Sequence, residues 1–503
     1  MRGGVYTSFH KSKLIALGFL ILSLLGAKGK KSEKINYKTA LRYIISGLLL
    51  FFLSWFILLE KSTPVGASIG YMFTVSVGFI LIFTGGTLLS RIIKDALVDD
   101  IFNAESETFP QEEKLIENEY SINLPAKYRY KGKVRNSWIN FIAVFRSVIV
   151  QGGPGAGKTA FVIRHFISQA LGKPEPYTML VYDFKFADLS LIAYNHWLKN
   201  KHKYKHESVC YFINFDDLSR SHRCNPLDPI TMEDITDASE SARTILYGLN
   251  REWQKKQGDF FVDSAINFVT AVIWYLRKYN DGLYCTLPHV IEFIQLEYDK
   301  MFSLLNQEDE VISLITVFIQ AYQNGAVEQL EGQIASAKIA LARLSSPQLY
   351  YVLSGDDFKL DINNPEHPKV LCLGNNPQKI LTYGAVLSLY VNRLLKIINK
   401  KNKLKCMLVF DEYPTLTADV TTTISTGRSN LISVLLGVQS IQQLVKEYGK
   451  EQADVITTIV GNVISGQVTG EGAKRLSEQI GKIMQDRQSL SINRTDTSIS
   501  KSK

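Results

Sequence analysis

Three apolar runs crowd the first 91 residues and then stop. Residues 14–27, 43–59 and 66–90 are 14, 17 and 25 positions long, the last two without a charge. A helix crossing a membrane needs about 20 predominantly apolar residues. The second and third runs therefore predict transmembrane helices, and the first a partial span or an interfacial helix. Residues 92–146 are polar, with aromatic spots at Tyr128, Tyr130 and Trp138, and read as a connector. Past it, short continuous apolar runs at 147–150, 178–182 and 209–213 have the look of buried strands. Between the first two, Val162, Ile163, Phe166, Ile167, Ala170 and Leu171 recur at helical spacing until Gly172 and Pro174. Residues 231–350 are helical in pattern almost throughout, as in Phe261, Ala265, Phe268, Val269, Val272, Ile273 and Leu276. The strand signal resumes at 370–373, 407–410, 432–436 and 463–466, and residues 486–503 are Ser/Thr-rich and read as a solvated tail.

Apolar strands alternating with helices predict an α/β fold, a mostly parallel sheet covered on both faces. The organisation expected is a membrane region over 1–91, a nucleotide-binding α/β domain split between 92–230 and 351–485, and an all-α insertion at 231–350. The candidate chemistry sits at the first strand. Gly152-Gly153-Pro154-Gly155-Ala156-Gly157-Lys158-Thr159 fits G-x-x-x-x-G-K-[ST] between a strand and a helix. Small residues let such a backbone close round a phosphate, with N–H groups pointing inward at a helix N-terminus. Lys158 places a point charge on the β- and γ-phosphates of ATP, and the Thr159 hydroxyl suits Mg2+.

The run 407–410 ends in Asp411-Glu412, an apolar strand closing in two acids. Beside a P-loop in a parallel sheet, Asp411 is expected to hold Mg2+ through water and Glu412 to polarise the attacking water. Gln439 follows the strand predicted over 434–438 and is placed to sense the γ-phosphate. Arg428, 17 residues after Asp411 and 11 before Gln439, is a candidate finger for a neighbour's nucleotide. Two stretches mislead. Leu353-Ser354-Gly355-Asp356-Asp357 starts like a transporter signature but lacks its Gly-Gln. Arg251-Glu252-Trp253-Gln254-Lys255-Lys256 mixes basic and aromatic groups but reads as one exposed helix face.

Charge sets the orientation. Lys28, Lys30, Lys31, Lys34 and Lys38 lie between the first two apolar runs, whereas 60–65 holds one lysine. The positive-inside rule then puts the lysine loop and everything after Arg91 in the cytoplasm. A net charge of +9 over 503 residues favours anionic partners, nucleic acid or an anionic membrane face. The five cysteines are scattered without C-x-x-C spacing, which argues for a reducing compartment and against a disulfide framework or a zinc site.

Taken together, these residues resemble the type IV coupling proteins of bacterial conjugation, of the TraG/TraD and MobC kind. The likeness rests on a short cytosol-facing membrane region, the loop ending in Lys158-Thr159, Tyr182-Asp183-Phe184-Lys185 and Cys224-Asn225-Pro226-Leu227. It continues through the helical insertion, Asp411-Glu412, Arg428, Gln439, Tyr448-Gly449 and 476–481, and so covers most of residues 40–485. The resemblance implies a RecA-like DNA-pumping motor, assembled as a homo-hexamer at the inner membrane with its ATPase domain in the cytoplasm. Such a motor hands relaxase-bound DNA to a type IV secretion channel. It implies an ATP site of Lys158, Thr159, Asp411 and Glu412, a trans-acting Arg428, a sensor Gln439, and an insertion facing the relaxosome. DNA, single- or double-stranded and of any sequence, would be the cargo. The family pattern also suggests more chain before Met1 and after Lys503, and a better helix former than Gly427 before Arg428. Two other functions share these motifs: another membrane-linked RecA-like motor, for chromosome segregation or secretion, and a recruitment adaptor switched by nucleotide.

Overall fold

Two helices near the start of the chain press together at glycines. The computed structural model describes residues 9–25, 37–59, 64–97, 110–130, 132–256, 258–466, 468, 470–480, 489–492 and 499–502, and the chain divides into two compact units. The first holds the helices α1 (Phe9–Leu25), α2 (Tyr37–Leu53) and α3 (Pro64–Leu97). A Cβ at Gly47 would stand 2.8 Å from the Gly78 carbonyl, and one at Gly85 2.8 Å from that of Ala40, so α2 and α3 run antiparallel at backbone contact. Small residues at such a crossing are how apolar helices pack where water supplies no driving force. α2 starts six residues before the predicted span and ends in a 3-10 turn, Ser54–Leu59. There Lys13 of α1 donates to the Phe51 carbonyl and to the Ser54 hydroxyl, both at 2.7 Å. Lys28 to Lys34 lie outside the described residues.

Among the described residues four helices are long and apolar enough to cross a membrane. Tyr37–Leu58 and Val65–Ser90 are 17% buried, as lipid-facing helices are; Phe260–Gly282 and Ile380–Ile398 are 67% buried and belong to a protein core.

The second unit is built on a parallel sheet. Ahead of it come β1 (Ile122–Tyr130) and β2 (Lys133–Phe141), a two-stranded hairpin within the stretch expected to be a connector, whose residues 127–136 count with the first unit. Ile122, Leu124 and Phe141 are buried in the core; two apolar positions spaced by two were too short a pattern to read as a strand. β3 (Val148–Gln151), α4 (Arg164–Gly172), β4 (Thr178–Asp183), α5 (Asp188–Asn200) and β5 (Val209–Ile213) follow. Then come seven helices: α6 (Ile235–Leu249), α7 (Phe260–Lys278), α8 (Leu287–Phe293), α9 (Tyr298–Leu305), α10 (Asp309–Gln323), α11 (Val327–Ala342) and α12 (Pro347–Leu353). The chain returns as β6 (Lys369–Gly374), α13 (Ile380–Ile398), β7 (Cys406–Phe410), α14 (Thr421–Asn430) and β8 (Ile432–Val438). It closes with α15 (Ile441–Tyr448), α16 (Lys450–Ile459), β9 (Asn462–Ser465) and α17 (Glu471–Ile480).

The sheet order is β5-β6-β4-β7-β8-β3-β9, and every neighbouring pair is parallel. Successive side chains of a strand point to opposite faces, and here both faces are dry. Leu180 and Tyr182, like Leu408 and Phe410, enter the core shared with α6, α7 and α13; Met179 and Val181, like Met407 and Val409, enter the one shared with α4 and α5. The helices read as an insertion therefore lie on one face of the sheet and share its core. In the first unit, β10 (Ser489–Ile492) and β11 (Ile499–Ser502) pair antiparallel where a solvated tail was expected. All five cysteines are free and buried.

Candidate functional site

In a parallel sheet the carboxyl ends of all strands share one edge, and the segments leaving β4, β7, β8 and β3 gather there side by side. Gly152 follows β3 and donates to the Val438 carbonyl at the end of β8 (3.2 Å), which docks the loop on the neighbouring strand. Ala156 N–H closes back on the Gly153 carbonyl (3.1 Å). Gly157 has φ 81°, a left-handed backbone that favours glycine, and the exposed Phe161 ring lies over it. The helix that follows starts as a wide turn over Lys158–Ile163 before tightening into α4. Pro154 and Gly155 are exposed; Gly153, Ala156, Gly157, Lys158 and Thr159 are half-buried.

The acids arrive from β7. Asp411 donates its backbone N–H to the Tyr182 carbonyl (3.1 Å), locking the end of β7 to that of β4. Burial, then the Glu412 and Asp183 carboxylates, push the Asp411 carboxyl up to about 7. Glu412 is buried in the left-handed region at φ 54°, held there by Thr415, whose N–H (2.9 Å) and hydroxyl (2.7 Å) both donate to its carbonyl. Its Oε1 lies 3.5 Å from Lys158 Nζ, and the ammonium also donates to the Gly152 carbonyl at 2.7 Å. β3 and β7 are not adjacent, so this pair spans the site across β8.

Three buried oxygens at this edge have no hydrogen-bond partner: Gln151 Oε1, Asp183 Oδ1 and Glu412 Oε2. Each such group costs about 1–3 kcal/mol, a penalty that folds concentrate where a ligand or ion supplies the missing contact. Asp183 is the acid that sequence reasoning passed over as a site residue. Its Oδ2 accepts from the Ser190 N–H and hydroxyl, both 2.8 Å, at the start of α5, and burial pushes its carboxyl up to about 6. Tyr182-Asp183 was visible as a string, but only the strand order puts it against Asp411. A phosphate chain with Mg2+ fits what is present: a glycine loop at a helix start, one ammonium, the Thr159 hydroxyl, and carboxylate oxygens lacking donors.

A family model described as type IV secretory system conjugative DNA transfer matches residues 98–503. The chain belongs to that family. A second model, YWFCY protein, matches residues 1–94, over the membrane-type helices of this conjugative DNA-transfer protein. No curated protein matches the sequence. Among solved structures, the chain is similar to the bacterial conjugative coupling protein TrwBdeltaN70 in its unbound monoclinic form. The TM-score is 0.50 at 15% identity, over 72% of this chain and 77% of that one, which shows the fold. It is also similar to plasmid coupling protein TrwB in complex with ADP and Mg2+, with a TM-score of 0.49 at 15% identity over 71% and 78%.

The remaining predicted residues divide. Gln439 directly follows Val438, whose carbonyl holds Gly152, so its backbone lies beside the P-loop; its N–H donates to Gln443 Oε1 (3.2 Å). Arg428 is not brought to the site. It is exposed on the last turn of α14, beside the amino end of β8. From Ile432 to Val438 the strand rises ~20 Å, longer than any arginine side chain. β7 and β8 face the site with their carboxyl ends, whereas Arg428 precedes β8.

Proposed function

We propose that the chain is a membrane-anchored ATPase that couples relaxase-bound DNA to a type IV secretion channel and drives its transfer. The observation that carries this reading is the Lys158–Glu412 pair at 3.5 Å, with Asp411 beside it and unpartnered buried oxygens around it. Thr159 and Asp411 are the residues that would hold Mg2+, which would supply positive charge against the charge developing on the phosphates. Lys158 turns from the Gly152 carbonyl toward the β/γ-phosphates. Glu412 takes the proton of the attacking water, and Gln439 reports the γ-phosphate to α15. Arg428, out of reach of its own P-loop, meets a neighbouring copy's nucleotide in a homo-hexamer. α2 and α3 anchor the ATPase in the inner membrane with the sheet domain on the cytoplasmic side. Sequence-independent binding of DNA rests on the +9 net charge and on family membership.

Steady-state phosphate release by the full chain, with and without single-stranded DNA, tests this. Turnover that rises with DNA is expected; ATP binding with no turnover sinks the motor and leaves the nucleotide-switched adaptor.

A further inference from the structure

One guanidinium ties the helical layer to the segment that follows Glu412. Arg251 opens the short 3-10 turn Arg251–Lys255 behind α6, within the basic and aromatic run read from sequence as an exposed face. Lys255 fits that reading, pairing in solvent with Glu252 at 3.1 Å. Arg251 does not. Its side chain is 22% exposed; Nη1 donates to the Pro414 carbonyl (3.0 Å) and to the Glu447 carboxylate, and Nη2 to the Thr415 carbonyl.

What the guanidinium grips is the support of the site. Thr415 donates twice to the Glu412 carbonyl, and its hydroxyl pairs with Tyr182 OH (2.6 Å), which accepts from Asn375 Nδ2 (2.7 Å). Glu447 and Tyr448 end α15, the helix that Gln439 leads into. Tyr448 stacks on Tyr413 at 5.2 Å and donates to the Leu416 carbonyl (2.8 Å). Residues 413–416 are thus held from three sides: by Arg251 from the helical layer, by Tyr182 from β4, and by Tyr448 from α15. Glu412 occupies a left-handed backbone that a side chain adopts only when its surroundings hold it there.

We infer that Arg251 is a positioning residue: by fixing the Pro414 and Thr415 carbonyls to α15, it sets Glu412 against Lys158 and passes changes at that pair into the helical layer. The inference rests on the nucleotide reading above. A planar fork with donors in fixed directions spans two carbonyls and a carboxylate, which the single ammonium of a lysine does not reproduce.

The test uses the full chain in detergent and reads kcat with and without single-stranded DNA, the Kd of a fluorescent ATP analogue, and the melting temperature. Arg251→Ala and Arg251→Lys are expected to lower kcat about tenfold or more and to abolish DNA stimulation, with Kd within about threefold of wild type. Lys256→Ala, in the same run but exposed, is expected to behave as wild type. Should Arg251→Ala fail to fold, Glu447→Gln, which keeps the volume and removes the charge, is expected to lower kcat and DNA stimulation in the same direction. Unchanged kcat and stimulation in Arg251→Lys and Glu447→Gln overturn the inference. So does a parallel loss of nucleotide binding, turnover and melting temperature, the mark of a merely structural ion pair. A wild-type chain that binds ATP without hydrolysing it is a different failure, overturning the motor reading and this inference with it.

Discussion

The two edges of the one sheet treat charge in opposite ways. At the amino edge the buried cations are matched: Lys405, ahead of β7, pairs with Glu119 (2.7 Å) and Glu175 (3.1 Å), and Lys369, opening β6, pairs with Asp361 (2.7 Å). At the carboxyl edge Asp183, Asp411 and Glu412 crowd together against the Lys158 ammonium, with buried oxygens left over. Burying a charge without its partner is costly. The amino edge is therefore balanced as it stands, and the carboxyl edge leaves buried acid oxygens without a partner. Arg428, near the same edge as those matched cations, is exposed and makes no ion pair among the described residues.

That contrast is broken most completely by Lys158→Ala. Losing the ammonium leaves Glu412 buried without its counter-charge and the phosphates without theirs. We expect ATP turnover to fall by about 10²–10³-fold and DNA transfer to cease, with membrane localisation kept; transfer at wild-type frequency would refute the assignment of the carboxyl edge. Glu412→Gln follows. The amide fills the same space but draws no proton from water, so nucleotide binding persists while hydrolysis slows about 10²-fold or more. The nucleotide-bound oligomer should then outlast the wild-type one in sedimentation, and unchanged turnover would place the base elsewhere.

Arg428 sharpens the comparison from the other edge. If it serves a neighbour's site, mixing inactive Arg428→Ala subunits with inactive Lys158→Ala subunits restores part of the ATPase, because some interfaces join an intact P-loop to an intact arginine. Mixtures as inactive as either parent would make Arg428 a solvated charge. The smallest effect belongs to Asp183→Asn. Burial and the neighbouring Glu412 and Asp183 carboxylates raise the Asp411 carboxyl to about 7. Removing the Asp183 charge lets Asp411 ionise at lower pH. The acid limb of the pH–rate profile is expected to move toward lower pH, with the plateau changed by less than about tenfold. A shift toward higher pH would contradict the proximity of the two acids.

How much of this could be read without coordinates differs from residue to residue. Lys158, Thr159, Asp411 and Glu412 could be singled out from sequence because each sits in a local pattern, a glycine loop or a strand end, and the structure brings Lys158 against Glu412. Asp183 and Gln151 sit at strand ends that look alike in sequence; only the order β4-β7-β8-β3 selects which acid stands next to Asp411. Arg251 was the hardest, since a basic residue beside Glu252, Trp253 and Lys255 reads as surface, and its partners lie 163 to 196 positions away.

By itself, then, the sequence determined the parallel α/β class, the phosphate loop, the paired acids and two lipid-type helices. All of these are written in periodicities and spacings of a few residues, which the chain expresses wherever it finds itself. Tertiary structure alone decided which apolar helices are core. Phe260–Gly282 and Ile380–Ile398 match a membrane span in length and apolar character yet are two-thirds buried by the protein. It also decided which edge Arg428 occupies, and that the inserted helices share the sheet's core and send Arg251 to the segment that follows Glu412. Hydrophobic burial is non-directional, so an apolar stretch states that it must be covered but not by what; strand order and helix packing supply the answer.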